Sequence, residues 1–407
     1  MNKPPIDLAL ETHLDASIVP PGPFQHSARP ANVFVTGGTG FLGAYMIADL
    51  LRFTTANVYC LVRAADAATG KRRLLDNMAH YAVAHHEVES RVFAVCGDIE
   101  RPRFAVDDQA YEWLAVNVDS IYHLAASVSF MPGYEQMKSI NVTGLTHVLQ
   151  LACDRRTKIV HYTSTYAVFN ADAYAMADRV YETRLTGSGE GFIRGYDRSK
   201  WVAEQIVRLA QERGVPVNTY RAGFISGDSA TGIHNKMDPV AQVFAVALCT
   251  GHAFPIDALL HLTPVDYCSA ALVRLSLNPQ TTNGIFHLVQ EHPLSCRDIV
   301  EWLADEGYPL RIVDFPDWYE QLKQLCKRHP QFIPVLYLFS LKGATPFGEG
   351  ENISNLQFDA SNVHRHLEAA YHCPKLQSSL LRRYFSYIAS PERSYQVMPR
   401  QMTAVRA

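Results

Sequence analysis

The sequence predicts an α/β fold, a doubly wound parallel sheet joined to a smaller, mainly helical domain towards the C-terminus. Three observations carry this expectation. Apolar runs of strand length alternate with amphipathic helical stretches from Asn32 to Gly223, the pattern of successive βαβ units. Most of these runs are apolar almost throughout, as strands must be when helices cover both faces of a sheet. After Gly223 the alternation lapses, and a chain of 407 residues exceeds the size of about 250–300 residues at which single cores stop growing.

Residues 1–31 hold a short helical stretch, Ile6 to Leu14, and a proline-rich connector, Pro20 to Pro30, expected as a leader outside the core. The first strand, NVFVT from Asn32, runs into a turn with Gly37, Gly38, Gly40 and Gly43 and then into the helical pattern FLGAYMIADLLRF. A second strand, 57–63, ends on Arg63 and is followed by helical sequence with Lys71, Arg72 and Arg73. Further strands are expected at 91–98, 120–126, 159–165, 217–223 and 284–289. The main domain is thus 32–225, with 264–293 returning to its sheet, while 226–263 and 294–407 form the smaller domain.

Composition narrows the function. With 48% hydrophobic and 19% charged residues the chain reads as an ordinary globular protein, and a net charge of −3 offers no basic footprint for nucleic acid. No uncharged apolar run reaches membrane-spanning length, and MNKPPIDLAL lacks the apolar core of a signal peptide, so a cytoplasmic location is expected. The eight cysteines include no CxxC pair, which favours reduced thiols over disulfides or a metal site.

Three patterns carry chemistry. Strand, glycine turn and helix in that order gather unpaired N–H groups and the positive end of a helix dipole at one point, where a diphosphate can sit. The stretch 32–43 therefore reads as a dinucleotide-binding turn. Tyr196 and Lys200, four apart at the start of an amphipathic helix, share one face. An ammonium there is expected to favour tyrosinate and lower the phenol's pKa from about 10. Thr163, Ser164 and Thr165 close the fifth strand, and hydroxyls at the carboxyl end of a parallel strand lie where α/β sheets place ligands.

The motifs TGGTGFLG at 36–43, HLAA at 123–126, NVTG at 141–144, STYAVF at 164–169 and YDRSK at 196–200 resemble those of the extended short-chain dehydrogenases/reductases. More narrowly, the chain resembles the terminal thioester reductase domains of nonribosomal peptide synthetases and carboxylic acid reductases. That match rests on CLVRAAD with Arg73 ten residues after Arg63, GDIERPRF, RAGFISGDSATG at 221–232, LTPVDYCSAAL at 262–272 and the leader DLALETHLDASIVPP.

The resemblance implies a Rossmann-type sheet with NADPH as cofactor and a catalytic set of Thr165, Tyr196 and Lys200. It assigns Thr36, Gly37, Gly38, Thr39, Gly40, Phe41, Leu42 and Gly43 to the phosphate loop, and Tyr196 and Lys200 also to the cofactor. Arg63 and Arg73 would favour the 2′-phosphate of NADPH over the hydroxyl of NAD. Asp98 and Ile99 would flank the adenine, Ala125 and Ala126 the ribose side, and Asn141 would help anchor the active-site helix. Ala222, where the family usually has proline, Gly223 and Ile225 would lie near the nicotinamide. The activity implied is release of a carrier-bound acyl or peptidyl thioester as an aldehyde or primary alcohol, with a phosphopantetheinylated carrier protein as partner. No DSL-type attachment motif precedes Asn32, so the carrier is expected in a larger synthetase or on another protein. The alternatives are another extended reductase acting on acyl-CoA, a free aldehyde or a sugar nucleotide, and a cofactor-binding sensor or scaffold without turnover.

Other residues have plainer readings. His123, His161 and His287 are expected to be packed within strands, and His80, His85 and His86 near Glu87 show no compact metal-ligand spacing. Trp302, Trp318 and Tyr319 would line an acyl pocket or simply fill a core. Arg221 would face a phosphate of the cofactor or of phosphopantetheine, or pair with an acid such as Asp228. Lys71 and Arg72 are expected to be solvated.

Overall fold

In the computed structural model the described residues are 7–83, 85–128, 133–170, 172–235, 237–254, 258–340, 356–368, 370–390 and 395–400. The chain divides into two compact units: Met1–Gly223 with Val265–Val289 and Phe358–His372, and Phe224–Pro264 with Gln290–Gln357 and Cys373–Ala407.

The first unit is built on seven strands: β1 Asn32–Thr36, β2 Asn57–Val62, β3 Val92–Cys96, β4 Ser120–His123, β5 Ile159–Thr165, β6 Val217–Ala222 and β7 Ile285–Leu288. All pair in parallel, in the order β7-β6-β5-β4-β1-β2-β3. The helices used below are α1 Phe41–Phe53, α2 Ala67–His80, α3 Gly144–Cys153, α4 Gly195–Glu212 and α5 Val265–Leu277. Chain order reverses between β1 and β4, and at such a switch point the strands' carboxyl ends open a crevice for a ligand. Register puts Thr36 beside His123, His123 beside Tyr162, and Thr165 beside Ala222 along that rim. The sheet centre is dry: Val33, Phe34, Val35, Ile121 and Val160 are all fully buried.

Two expectations about segment boundaries are corrected. Of the leader, the described residues 7–31 do not stay outside the core, because Leu8, Leu14 and Ile18 are buried. The Arg213 guanidinium, just past α4, donates to the carbonyls of Leu14 at 3.0 Å and Asp15 at 2.5 Å. Glu11 joins Lys138 at 2.6 Å and accepts the Tyr134 hydroxyl at 2.8 Å. Nor does 294–407 form one block, since 358–372 groups with the first unit. Phe358 lies 5.6 Å from the Tyr166 ring, and Glu182 accepts the N–H groups of both His287 and Asn362, tying this segment to β7.

The second unit holds helices Pro239–Thr250, Cys296–Asp305, Phe315–Arg328, Ile333–Ser340 and Ser378–Ile388, and a short parallel pairing of Phe224–Ser226 with Leu262–Pro264. Trp318, fully buried, packs on Phe254 at 4.5 Å and Phe339 at 4.8 Å; Tyr319 stacks on Phe315 and Trp302 meets Phe385. Trp318 thus fills a core, whereas Trp302 and Tyr319 are half-buried and Phe315 is exposed. All eight cysteines are free thiols, and among the described residues no helix is long and apolar enough to cross a membrane.

Candidate active site

The turn after β1 has no room for a Cβ at Gly37 or Gly43. Gly37 has φ +83°, and a Cβ on it would lie 2.7 Å from the Ala125 nitrogen. A Cβ on Gly43 would lie 2.2 Å from the Gly37 oxygen. The Gly40 N–H closes the turn on that same oxygen at 3.0 Å, and Gly40 is the N-cap of the 13-residue α1. From α2 the Asn77 amide donates to the carbonyls of Gly40 at 2.9 Å and Gly38 at 3.3 Å, a brace the motif reading missed. The Thr36 hydroxyl meets His123 Nδ1 at 2.7 Å and accepts the Ala125 N–H at 3.3 Å. Burial pushes His123 down to about 3, so the ring is neutral. Thr39 and Leu42 are half-buried beside the turn, whereas Phe41 turns inwards onto Tyr45 and Tyr81.

The far end of the crevice brings Arg63 and Arg73 together. Arg63 is exposed just past β2, with its guanidinium 3.9 Å from Glu100, and Arg73 donates to the Arg63 carbonyl. Asp98 accepts the Glu100 N–H at 3.1 Å, and the Ile99 carbonyl bonds His147 at 2.9 Å. Ile99 also leaves no room for a Cβ on Gly144, at the start of α3, since the two atoms would be 2.8 Å apart. Ala125 and Ala126 are half-buried on the loop after β4. Lys71 is not solvated as expected. Its ammonium donates to the carbonyls of Val88 at 2.5 Å and Val92 at 2.6 Å, while Arg72 is exposed.

At the middle of the rim Thr165 meets Tyr196, and Lys200 lies against the neighbouring residues of β5. The Thr165 hydroxyl accepts the Ala167 N–H at 3.2 Å and hydrogen-bonds the Tyr196 phenol. Lys200, only 2% exposed, donates to the Thr163 carbonyl at 2.8 Å and lies 4.4 Å over the Tyr162 ring. The expectation that Lys200 lowers the phenol's pKa is therefore corrected: burial pushes Tyr196 up to about 12, opposed by the Thr165 hydrogen bond. Burial also pushes Lys200 down to about 7, opposed by the negative charge of Glu204. Asn141 is buried. Its amide donates to the Ser199 hydroxyl at 2.8 Å and to the Ser127 carbonyl at 3.0 Å, anchoring α4 from the adjoining helix. Asp197, beside Tyr196, is held by Arg194 at 3.0 Å and Asn170 at 2.9 Å.

Arg221 pairs with an acid, but that acid is Glu204 and not Asp228. It is fully buried on β6 and makes a forked pair with Glu204 of α4, closest at 2.8 Å. Asp228 is occupied in its own turn, accepting the N–H groups of Ala230 and Thr231. His161 and His287 are packed and bonded to Tyr220 and the Asp359 carbonyl; His85 stacks on His86, and among the described residues no cluster could hold a metal ion. Ala222 is buried against Thr165 and Leu288 in the sheet register, and the Gly223 N–H reaches the Leu288 carbonyl at 3.0 Å. Ile225 belongs to the second unit, paired with Thr263.

Residues 35–272, more than half the chain, match the model of an NAD-binding family described as male sterility protein. The chain belongs to that family. It is 34% identical over 318 residues to a subunit of linear gramicidin synthase from Brevibacillus parabrevis, covering 78% of this chain and 6% of that protein. Against nonribosomal peptide synthetase asaC of Aspergillus flavus the figures are 33% over 359 residues, 85% and 35%. The chain thus spans about a third or less of these relatives' length. Among solved structures, the terminal R domain from the myxalamid PKS-NRPS biosynthetic pathway superposes with a TM-score of 0.86 at 30% identity, covering 94% of this chain and 96% of that one. The resemblance to extended short-chain dehydrogenases/reductases, and to terminal reductase domains in particular, is borne out. Membership makes a nicotinamide dinucleotide the ligand to test against the site, and the residues fit it. A cradle that Cβ atoms at Gly37 and Gly43 would fill lies at a helix N-terminus, and an exposed arginine stands at the end of the next strand.

Proposed function

We propose that the chain is an NADPH-dependent reductase that releases a carrier-protein-bound acyl or peptidyl thioester as an aldehyde or primary alcohol. The observation that carries this reading is the meeting of Thr165 and Tyr196, with Lys200 held on the Thr163 carbonyl beside them, on the rim that also bears the glycine cradle, with the phenol kept in its neutral, proton-donating form. Its relatives, part of a gramicidin synthase and a nonribosomal peptide synthetase, support a substrate presented on a carrier.

Gly37, Gly40 and Gly43 would hold the cofactor's diphosphate, Arg63 and Arg73 its 2′-phosphate, and Tyr196 and Lys200 the nicotinamide ribose. When bound, the cofactor supplies a hydride to the thioester carbonyl carbon. The hydroxyls of Thr165 and Tyr196 donate hydrogen bonds to the carbonyl oxygen as negative charge gathers there. A phenol near 12 is almost wholly protonated at neutral pH, which is the form a reduction needs. The tetrahedral adduct expels the carrier thiol, which takes up a proton, and leaves an aldehyde. A second reduction would use the same donors to give the primary alcohol. No acyl-enzyme is called for, and burial pushes the Cys60, Cys249 and Cys296 thiols up to about 12, away from nucleophilic use.

The test is to incubate the protein with NADPH and a panel of phosphopantetheinyl thioesters, following NADPH absorbance and free thiol together. The reading predicts that the two change in step; consumption of NADPH only with free aldehydes or sugar nucleotides would sink it. The cofactor choice has its own check. Arg63→Ala should cut the preference for NADPH over NADH by about tenfold to a hundredfold, the worth of one charge-assisted phosphate contact of roughly 1.5–3 kcal/mol. The ratio of kcat/KM values for the two cofactors measures it, and an unchanged ratio would remove Arg63 from the 2′-phosphate site.

A further inference from the structure

Glu204 and Arg221 have no part in the reaction as assigned above, yet Glu204 acts on Lys200 and bonds Ser164, the residue next to Thr165. Glu204 stands one turn past Lys200 on α4, continuing the row of Tyr196 and Lys200 at intervals of four. Its Oε1 accepts the Ser164 hydroxyl at 2.5 Å, from the residue just before Thr165 on β5, and Arg221 Nε at 3.1 Å; its Oε2 accepts Arg221 Nη2 at 2.8 Å. Arg221 continues the chain to His287 Nε2 of β7 at 3.2 Å and lies 5.0 Å over the Phe169 ring. One carboxylate thus ties the helix that carries Tyr196 and Lys200 to β5, β6 and β7. Both partners are sealed from water, Arg221 at 0% and Glu204 at 7% exposure. The desolvation of such a pair commonly equals or exceeds its Coulomb return, and apolar replacements of similar volume are often as stable. Stability alone is therefore a weak account of the pair.

We propose that Glu204 and Arg221 are positioning residues for the reduction: the pair holds α4 in register with β5 so that Tyr196 meets Thr165, and the Glu204 carboxylate keeps Lys200 cationic. This rests on the assignment of Thr165, Tyr196 and Lys200 to the reaction. The groups facing Lys200 are Glu204 from its own helix, Tyr162 and the Thr163 carbonyl from β5, and neutral His123 from β4. Glu204 supplies the negative charge that opposes the loss of the Lys200 proton. Removing that charge lowers the pH at which Lys200 becomes neutral.

The test compares the full chain with Glu204→Gln, Arg221→Lys and the double variant Glu204→Met/Arg221→Met, measuring kcat, KM for NADPH, the pH profile and the melting temperature. In Glu204→Gln, kcat should fall about tenfold to a hundredfold, the scale of a misplacement near 1 Å, with KM for NADPH unchanged. Its alkaline limb should move to lower pH by about one unit, as expected for loss of an opposite charge beside an ionisable group. Arg221→Lys keeps the carboxylate but loses the fork, so kcat should fall while the limb stays in place. The double variant should melt near the wild type yet share the kcat and limb of Glu204→Gln. If the single variants fail to fold, the double variant decides. A double variant with wild-type kcat and pH profile overturns the proposal, as does an unmoved limb in a folded Glu204→Gln. A double variant that melts far below the wild type also overturns it, by making the pair a matter of stability. A wild-type protein that reduces no thioester counts instead against the function assigned above.

Discussion

Tyr196→Phe should lower kcat by about 10²- to 10⁴-fold, the usual worth of a placed general acid, while leaving the melting temperature close to wild type. The change is local. The ring stays, so packing at the start of α4 is kept, and only a phenol that hydrogen-bonds Thr165 is lost. Thr165 retains the Ala167 N–H as a partner, so no buried group is stranded. What disappears is the donor that meets the developing oxyanion, an interaction made in the transition state and hardly in the ground state. Steady-state kinetics with a saturating thioester reads the effect, and full activity in a folded Tyr196→Phe would remove this residue from the mechanism.

Gly43→Ala should lower NADPH affinity by at least about a hundredfold, or roughly 2.8 kcal/mol at 1.4 kcal/mol per tenfold. Alanine in place of glycine inside a helix normally gains about 1 kcal/mol of stability. Here the added Cβ would stand 2.2 Å from the Gly37 oxygen and 2.8 Å from the Gly38 Cα, both backbone atoms that cannot swing aside. The turn has to open, and the N–H groups it directs at the diphosphate open with it. Gly40→Ala is the internal comparison: Gly40 is exposed and its Cβ would meet the Gly37 oxygen at 3.2 Å, which a small shift relieves. Titration calorimetry with NADPH should separate the two variants sharply; equal affinities would mean the cradle does not bind the diphosphate.

The sheet, the glycine turn and the meeting of Thr165 with Tyr196 were legible because their causes are local. Strands buried on both faces must be apolar, and a turn that admits no Cβ must be glycine. The partner of Arg221 was not legible in the same way. Asp228 is close in sequence, but Glu204 is brought beside Arg221 only when α4 packs on β6, and it is that packing which excludes water from the pair. The spacing of 196, 200 and 204 was a usable signal for it. Spacing also put Lys200 one turn from Tyr196 without saying where its ammonium points, and the Thr163 carbonyl and the Tyr162 ring take it. The segment 358–372 escaped because its link to β7 runs through Glu182, a carboxylate in a long loop. The leader hid its role for a similar reason: Leu8, Leu14 and Ile18 lie among polar residues and prolines, and Arg213, which bonds the leader's carbonyls, is far along the chain.

The most direct test of the central claim repeats the thioester incubation with NADPH that carries deuterium in place of the transferable hydride, followed by mass spectrometry of the product. The account predicts an aldehyde carrying one deuterium at the former carbonyl carbon, or a primary alcohol carrying two, together with one equivalent of free carrier thiol. Release of the thiol with unlabelled carboxylic acid, or no release from any carrier thioester, would contradict it.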